Sequence, residues 1–292
     1  MKEFLTIITP TYNRKKEIKK LYESLLRQKN KSFVWLIIDD GSNDGTDIEI
    51  EKYIQFQNEF RIYYIKKENK GKHDALNLAF DNIKTEIFMV VDSDDFLTDD
   101  AVETIYDYFM KYKEKNIKGF VFLKGYTLDK PIVTFKEEKI GNYISDVINK
   151  QKAGDRVEIF FSDLIKEHRF PVYKNEKFIG EGFFWCMISK DCKMLFVNKI
   201  IYICNYLDGG LTKSGRKLRI DNSVGGMRHA KEYLNKEFST KIRIKNMILF
   251  LTYERFAKQQ GKVPIKIKNS FLKYACILPY YILYKYCSKK YD

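Results

Sequence analysis

The chain has 292 residues, 45% hydrophobic, 15% aromatic and 32% charged, a balance that excludes a disordered chain and suffices for one large domain, or a domain with a smaller attachment. Its formal net charge is +14, but residues 1–100 hold 16 Lys/Arg against 19 Asp/Glu while residues 241–292 hold 12 against 2. The basic character therefore belongs to the C-terminal part, and with no nucleic-acid-binding motif beside it, no nucleic-acid partner is expected.

The elements follow in chain order. Residues 4–10 form a short apolar, β-branched run stopped by Pro10, which predicts a buried strand. Ile18, Leu21, Tyr22, Leu25 and Leu26 are spaced for an amphipathic helix over 15–29. A second buried strand is predicted at 33–42, a helix at 48–57, a third strand at 60–67, a helix at 72–83, a fourth strand at 86–92 and a helix at 99–115. Strand and helix alternating at this rhythm predict βαβ units, hence a mostly parallel sheet with helices on both faces. Beyond residue 118 the pattern loosens. Strands are expected at 119–126, 131–135 and 199–207, a strand then a helix at 156–165, and a Gly-rich basic loop at 208–218. Helices are expected at 222–236 and 238–260, before a basic, aromatic end.

No signal peptide is read at the N-terminus, and no apolar run reaches the roughly 18 residues of a membrane span. Five cysteines (Cys186, Cys192, Cys204, Cys276, Cys287) form no CxxC pair, which predicts reduced cytosolic thiols. The three histidines do not cluster with them at zinc-ligand spacing.

Three predicted strands end in unusual polar groups: Pro10-Thr11-Tyr12-Asn13, Asp39-Asp40-Gly41-Ser42 and Asp92-Ser93-Asp94-Asp95. Ligands of open α/β sheets lie outside the carboxyl ends of the strands, so all three groups are candidates for one crevice. Asp92 and Asp94, two apart on an extended chain, share a face. Paired carboxylates need a proton or a cation between them, and Mg²⁺ or Mn²⁺ is the hard ion that oxygen ligands suit. The competing reading of such acids is a helix N-cap, and it is the one expected for Asp95, Asp99 and Asp100.

In combination, "TIITPTYNR", "LIIDDGSNDGT", "KGKHDALNLAF" and "FMVVDSDD", in this order over about residues 3–110, resemble the family 2 glycosyltransferases. These are inverting enzymes of the GT-A fold that use nucleotide-diphosphate sugars. "GKHDALN" and "DGGLTKSG" resemble a subgroup that builds bacterial surface polysaccharides such as capsules. The resemblance implies that Pro10, Thr11 and Tyr12 line a nucleobase pocket. Asp40, with Asp39, would accept the imide N–H of a uracil-type base, a role suited to an acceptor-only carboxylate. Lys72, at a helix start, would meet the diphosphate, Asp92 and Ser93 would lie on the donor, and Asp94, with Asp92, would bind Mn²⁺ or Mg²⁺. His73 reads as a packing or capping residue.

Inverting transfer needs one general base on the acceptor hydroxyl. The family places an acid in the middle of the chain, often in a Glu-Asp pair followed by an aromatic residue. Here "GEGFFW" offers Glu181, with Gly182 in the second acidic position, and Asp208 is the alternative base. Trp185 is a candidate to pack on an acceptor sugar, or a core residue.

The expectation is thus a GT-A-like α/β catalytic domain over 1–210, with its nucleotide half at 1–115 and its acceptor half at 116–210. A helical basic region over 211–292 would touch an anionic membrane surface. The expected enzyme is cytoplasmic, peripheral at the inner face of the membrane, and transfers sugar from a nucleotide sugar, UDP-linked by family expectation, to a saccharide or lipid-linked acceptor. The alternatives are a non-catalytic nucleotide-binding scaffold of the same fold, kept open by Gly182, and a nucleotidyltransferase. The latter would carry a Gly-rich phosphate loop after the first strand, where "TPTYNRKK" has no Gly.

Overall fold

The computed structural model of the protein describes residues 2–56, 59–150, 154–204, 215–268 and 271–291. The strands are β1 (Leu5–Thr11), β2 (Phe33–Asp39), β3 (Arg61–Lys66), β4 (Ile87–Val90), β5 (Phe96–Leu97), β6 (Gly119–Thr127), β7 (Lys130–Pro131), β8 (Lys139–Gly141), β9 (Arg156–Phe161) and β10 (Met194–Ile203). The α-helices are α1 (Ile18–Leu26), α2 (Thr46–Phe56), α3 (Lys72–Asn82), α4 (Ala101–Tyr112), α5 (Gly182–Ile188), α6 (Gly215–Asp221), α7 (Ser223–Glu232), α8 (Thr240–Gln259), α9 (Phe271–Ala275) and α10 (Ile277–Tyr291).

One sheet runs β3-β2-β1-β4-β9-β6-β10-β5. β1, β2, β3 and β4 are mutually parallel, whereas β9 lies antiparallel between β4 and β6. The predicted βαβ half is thus present, followed by a mixed half. The alternation of side chains along each strand explains the layers. Leu5, Ile7, Trp35, Ile37 and Met89 face a core shared with α1, α2 and α4. Ile8, Leu36, Ile38 and Phe88 face the opposite core, filled by Ala75, Leu76 and Phe80 of α3 and by Phe183, Phe184 and Trp185 of α5. A third core, with Met227, Phe250, Phe256 and Tyr284, joins α6, α7, α8 and α10.

The later expectations need correction. Of the 131–135 run only Pro131 pairs as strand, together with Lys130 before it. The strand expected at 199–207 begins earlier, at Met194, where it meets the antiparallel β8. The Gly-rich segment is helical from Gly215 onward, while Asp208 lies outside the described residues. The capping expected of the acids after β4 is also absent. Asp100 stands at the N-cap of α4 without a side-chain cap bond; its carboxylate instead takes Thr98 Oγ1 at 2.9 Å and pairs with Lys199 at 2.8 Å. Asp99 pairs with Arg27 at 2.9 Å, and Asp95 is buried, accepting the Tyr202 hydroxyl at 2.8 Å.

The register of the sheet brings the strand ends together. Thr11 lies opposite Asp39 and Asp39 opposite Lys66, and Val91 N–H donates to the Ile8 carbonyl at 2.8 Å. The loop after β3 reaches α3 through Gly71, whose φ of +95° suits glycine. A Cβ there would stand 1.9 Å from the Lys177 carbonyl oxygen, so the close approach of the two backbones also requires glycine. Gly71→Ala should therefore cost about 2–4 kcal/mol, read as a lowered urea midpoint; an unchanged midpoint would mean that neither the backbone conformation nor this approach constrains the loop.

Candidate active site

The loops at the ends of β1 and β2 hold each other. Asn13, with φ +51°, donates its N–H to Ser42 Oγ at 2.8 Å and accepts from Asn43 N–H at 2.9 Å. Asp44 accepts Lys15 N–H at 3.1 Å. Beside this junction Pro10 and Thr11 are buried, and Thr11 Oγ1 has no hydrogen-bond partner among the described residues. Tyr12 is 47% exposed, so its ring is open to solvent at the strand ends.

The two neighbouring acids at the end of β2 differ. Asp39 is fully buried, its oxygens taken by Ser42 N–H at 2.7 Å and the Tyr64 hydroxyl at 2.7 Å. Asp40 accepts Lys70 N–H at 2.9 Å, Gly71 N–H at 2.7 Å and the Lys67 ammonium at 2.7 Å. In this structure both carboxylates hold protein: Asp39 fixes the β2 turn, and Asp40 fixes the segment that delivers Lys72.

Lys72 opens α3 and is the centre of the site. Its ammonium lies 2.5 Å from Asp92 Oδ1 and 2.6 Å from Glu181 Oε1. Burial would lower the lysine's pKa, but Asp92 and Glu181 outweigh it and raise it above the ordinary value. Burial likewise opposes the charge on Asp92, yet Lys72 and then Lys124 hold its carboxyl below the usual range. The site thus keeps an ammonium between two carboxylates belonging to different parts of the chain.

Asp94 forms no ion pair among the described residues. Burial first, and the charge of Asp92 second, push its carboxyl above the usual range, and the charges of Arg14 and Lys72 only partly offset them. Ser93 between them is buried. A pair of carboxylates of which one is left unneutralised is a chemical fit for a hard divalent ion. Among the described residues no group of three His, Cys, Asp or Glu side chains is gathered, so the protein would supply two ligands and leave the remaining positions to phosphate oxygens and water.

A cavity of about 990 Å³ opens from this array. Lys72, Asp92, Glu181 and Trp185 line it, whereas Pro10, Thr11, Tyr12, Asp39 and Asp40 lie outside it at the strand ends. Trp185 is 7% exposed and stacks on Phe160 at 5.1 Å, so its ring belongs to the core layer beneath the cavity. Gly182 has a steric explanation: a Cβ there would meet the Tyr233 hydroxyl at 3.3 Å. α7 closes over the start of α5 where the family often has a second acid. His73 is buried with neither ring nitrogen hydrogen-bonded among the described residues, and burial lowers its pKa.

Sequence reasoning missed two residues here. Tyr202 of β10 donates to Asp95 and accepts the Asp92 N–H at 3.1 Å, clamping the acidic loop. Lys124 of β6 lies over the Tyr202 ring, 4.2 Å from its centroid. Both come from strands in the far half of the sheet and lie outside every motif, and only their apolar surroundings marked them as strand.

A family model for glycosyl transferase family 2 matches residues 6–162. The chain belongs to glycosyltransferase family 2. Among curated relatives, GlyA of Streptococcus pneumoniae serotype 4 is 31% identical over 109 residues, 37% of this chain and 15% of GlyA. GlyG of the same organism is 22% identical over 263 residues, 82% of this chain and 81% of GlyG. Among solved structures, S. aureus TarS 1–349 in complex with UDP-GlcNAc superposes with a TM-score of 0.66 at 20% identity, over 96% of this chain and 80% of that one. The Pyrobaculum calidifontis mannosyltransferase PcManGT, in complex with GDP-Man and Mn2+, gives 0.59 at 14% identity, over 98% and 84%. At these identities the structures establish the fold, which is GT-A.

The raised pKa of Asp94 has a consequence for stability. An ionised carboxylate that the folded state disfavours subtracts from stability above its raised pKa, and the deficit disappears as pH falls and the folded form takes up the proton first. Asp94→Asn should therefore be more stable than the parent at pH 7–8 in metal-free buffer, with the gap narrowing in acid. Thermal unfolding against pH reads this; an Asn variant less stable at neutral pH would show that the charge is not disfavoured.

Proposed function

We propose that this glycosyltransferase transfers a sugar, with inversion, from a UDP-sugar to a hydroxyl of a saccharide or lipid-linked acceptor in bacterial surface polysaccharide synthesis. The observation that carries the reading is the Lys72 ammonium held between Asp92, on the donor side, and Glu181, on the acceptor side. The UDP-GlcNAc bound by TarS supports the choice of nucleotide.

Donor binding at the strand ends would offer Lys72 a diphosphate to pair with, loosening its hold on Glu181. The Glu181 carboxylate would then take the proton from the acceptor hydroxyl as its oxygen attacks the anomeric carbon. The bond from that carbon to the diphosphate oxygen breaks, and the electron pair leaves with the nucleotide. Lys72 offsets the charge developing there. Asp94 and Asp92 would hold Mn²⁺ or Mg²⁺, which when bound polarises the leaving diphosphate; the Mn2+ in PcManGT supports this assignment.

The C-terminal helices would bring the enzyme to a membrane-borne acceptor. Phe271, Leu278 and Ile282 are 88%, 69% and 62% exposed, and Leu278, Tyr281, Ile282 and Tyr286 recur at helical spacing near Lys285, Lys289 and Lys290. Apolar and aromatic side chains flanked by lysines suit an anionic headgroup boundary. Among the described residues no helix is long and apolar enough to cross a membrane.

Three measurements test these roles. Calorimetry should show UDP binding that Mn²⁺ strengthens and Asp94→Ala abolishes; equal binding in metal-free protein would remove the metal. Glu181→Gln should lower kcat by about 10²–10⁴-fold with UDP affinity little changed, and a fully active variant would exclude Glu181 as the base. Leu278→Glu with Ile282→Glu should abolish co-sedimentation with phosphatidylserine vesicles, and retention of binding would assign the contact elsewhere.

A further inference from the structure

The cavity that opens at Lys72 and Glu181 extends to a wall made by α6, α7 and α8, which contributes Arg216, Arg219, His229, Lys241 and Lys245. No Asp or Glu from these three helices lines it among the described residues. The acids that do reach the cavity, Asp92, Asp155, Glu158 and Glu181, come from the sheet side and from the residue before α5. Lys72, Lys124 and Arg156 also line the sheet side, so acids and bases stand together where the transfer would occur, while the facing helical wall carries bases without acids among the described residues.

The bases of that wall are also unneutralised. Other cations on the same helices have acidic partners one turn away: Lys217 with Asp221, Arg228 with Glu232 and Lys258 with Glu254. Arg219, Lys241 and Lys245 have no carboxylate partner among the described residues. Arg219 is instead oriented by protein, donating to the Gly215 carbonyl at 2.8 Å and lying over the Phe178 ring at 5.5 Å. His229 reports the local field: burial first, then Arg219 and Lys245, push its pKa down to about 4.

Cations lining one wall of a cleft without acids among them give it a positive field that attracts an anionic ligand. A planar guanidinium beside ammonium groups suits a phosphate, the fork giving direction and the lysines point charge. The volume of about 990 Å³ is at the upper end of the ~300–1,000 Å³ that ligand clefts occupy, which leaves room beyond the transferring sugar.

We propose that the wall formed by α6, α7 and α8 is an acceptor subsite that binds a phosphate group of the acceptor molecule while the accepting hydroxyl lies at Glu181. The inference rests on the transferase reading above and adds the acceptor class to it. Either a phosphodiester of a polyol-phosphate chain or the diphosphate of a lipid-linked saccharide supplies the chemistry.

The test is calorimetry at low ionic strength with three probes: a short oligo(glycerol phosphate), a short-chain isoprenyl diphosphate and a neutral oligosaccharide of similar length. At least one phosphate probe should bind better than the neutral one, and which of them does so identifies the source. In Lys241→Gln/Lys245→Gln its affinity should fall about tenfold or more. Both lysines are exposed and hold no ion pair among the described residues, so this variant should keep the fold; Arg219→Gln, which also removes a helix contact, is the second variant. Phosphate probes that bind no better than the neutral one, or that bind the double variant as tightly as the parent, overturn the subsite. UDP titrated into the same preparations tests the donor side separately: its failure to bind counts against the transferase reading, whereas intact UDP binding with no phosphate preference counts against the subsite alone.

Discussion

The Lys72 ammonium, shared by Asp92 and Glu181, is the contact on which the organisation of the site depends. Asp92 follows the central strand β4, and Glu181 immediately precedes α5, a short helix packed on the same sheet face as α3. Without a cation between them the two carboxylates would repel across a partly desolvated gap. With it, the end of β4 and the start of α5 are held at one distance. An ion pair of this kind adds little net stability once desolvation is counted; what it adds is position, and a lysine that can exchange one anion for another.

The surrounding structure is arranged to deliver that lysine. Asp40 accepts two backbone N–H groups and one ammonium from the segment before α3, and Gly71 lets that segment pass against the backbone at Lys177. Asp39 is spent on the turn of its own strand. On the other side, Tyr202 holds both Asp95 and the backbone of Asp92, so the acidic loop is fixed before any ligand arrives. Asp94, beside it, is an acid of the loop whose charge the protein disfavours. Pre-organised dipoles and an uncompensated charge are how sites store the electrostatics that a reaction later uses.

The helices after β10 have two physical roles. Their shared core packs α7 against α5, and the lack of side chains at Gly180 and Gly182 lets His229 and Tyr233 approach. Gly182, which on sequence grounds kept a scaffold without turnover open, thus has a packing reason that leaves Glu181 in the cavity. The same helices turn basic side chains toward the cavity and, at α9 and α10, apolar ones toward solvent.

Much of the first half was legible because its signals are local. Apolar runs of strand length, the spacing of Ile18, Leu21 and Leu25, and unusual polar groups at three strand ends depend on residues near one another in sequence, and parallel pairing followed from their alternation with helices. The resemblance in residues 3–110 added the family and its donor chemistry. Tertiary structure decided the rest. That Asp40 holds backbone, that Lys72 reaches Glu181 more than a hundred residues away, that Tyr202 clamps Asp92, and that α6, α7 and α8 face the cavity with their bases are consequences of distant segments meeting. A single chain without its fold carries no record of which side chains share a gap a few ångströms wide, because burial and field are properties of the packed neighbours rather than of the residue itself.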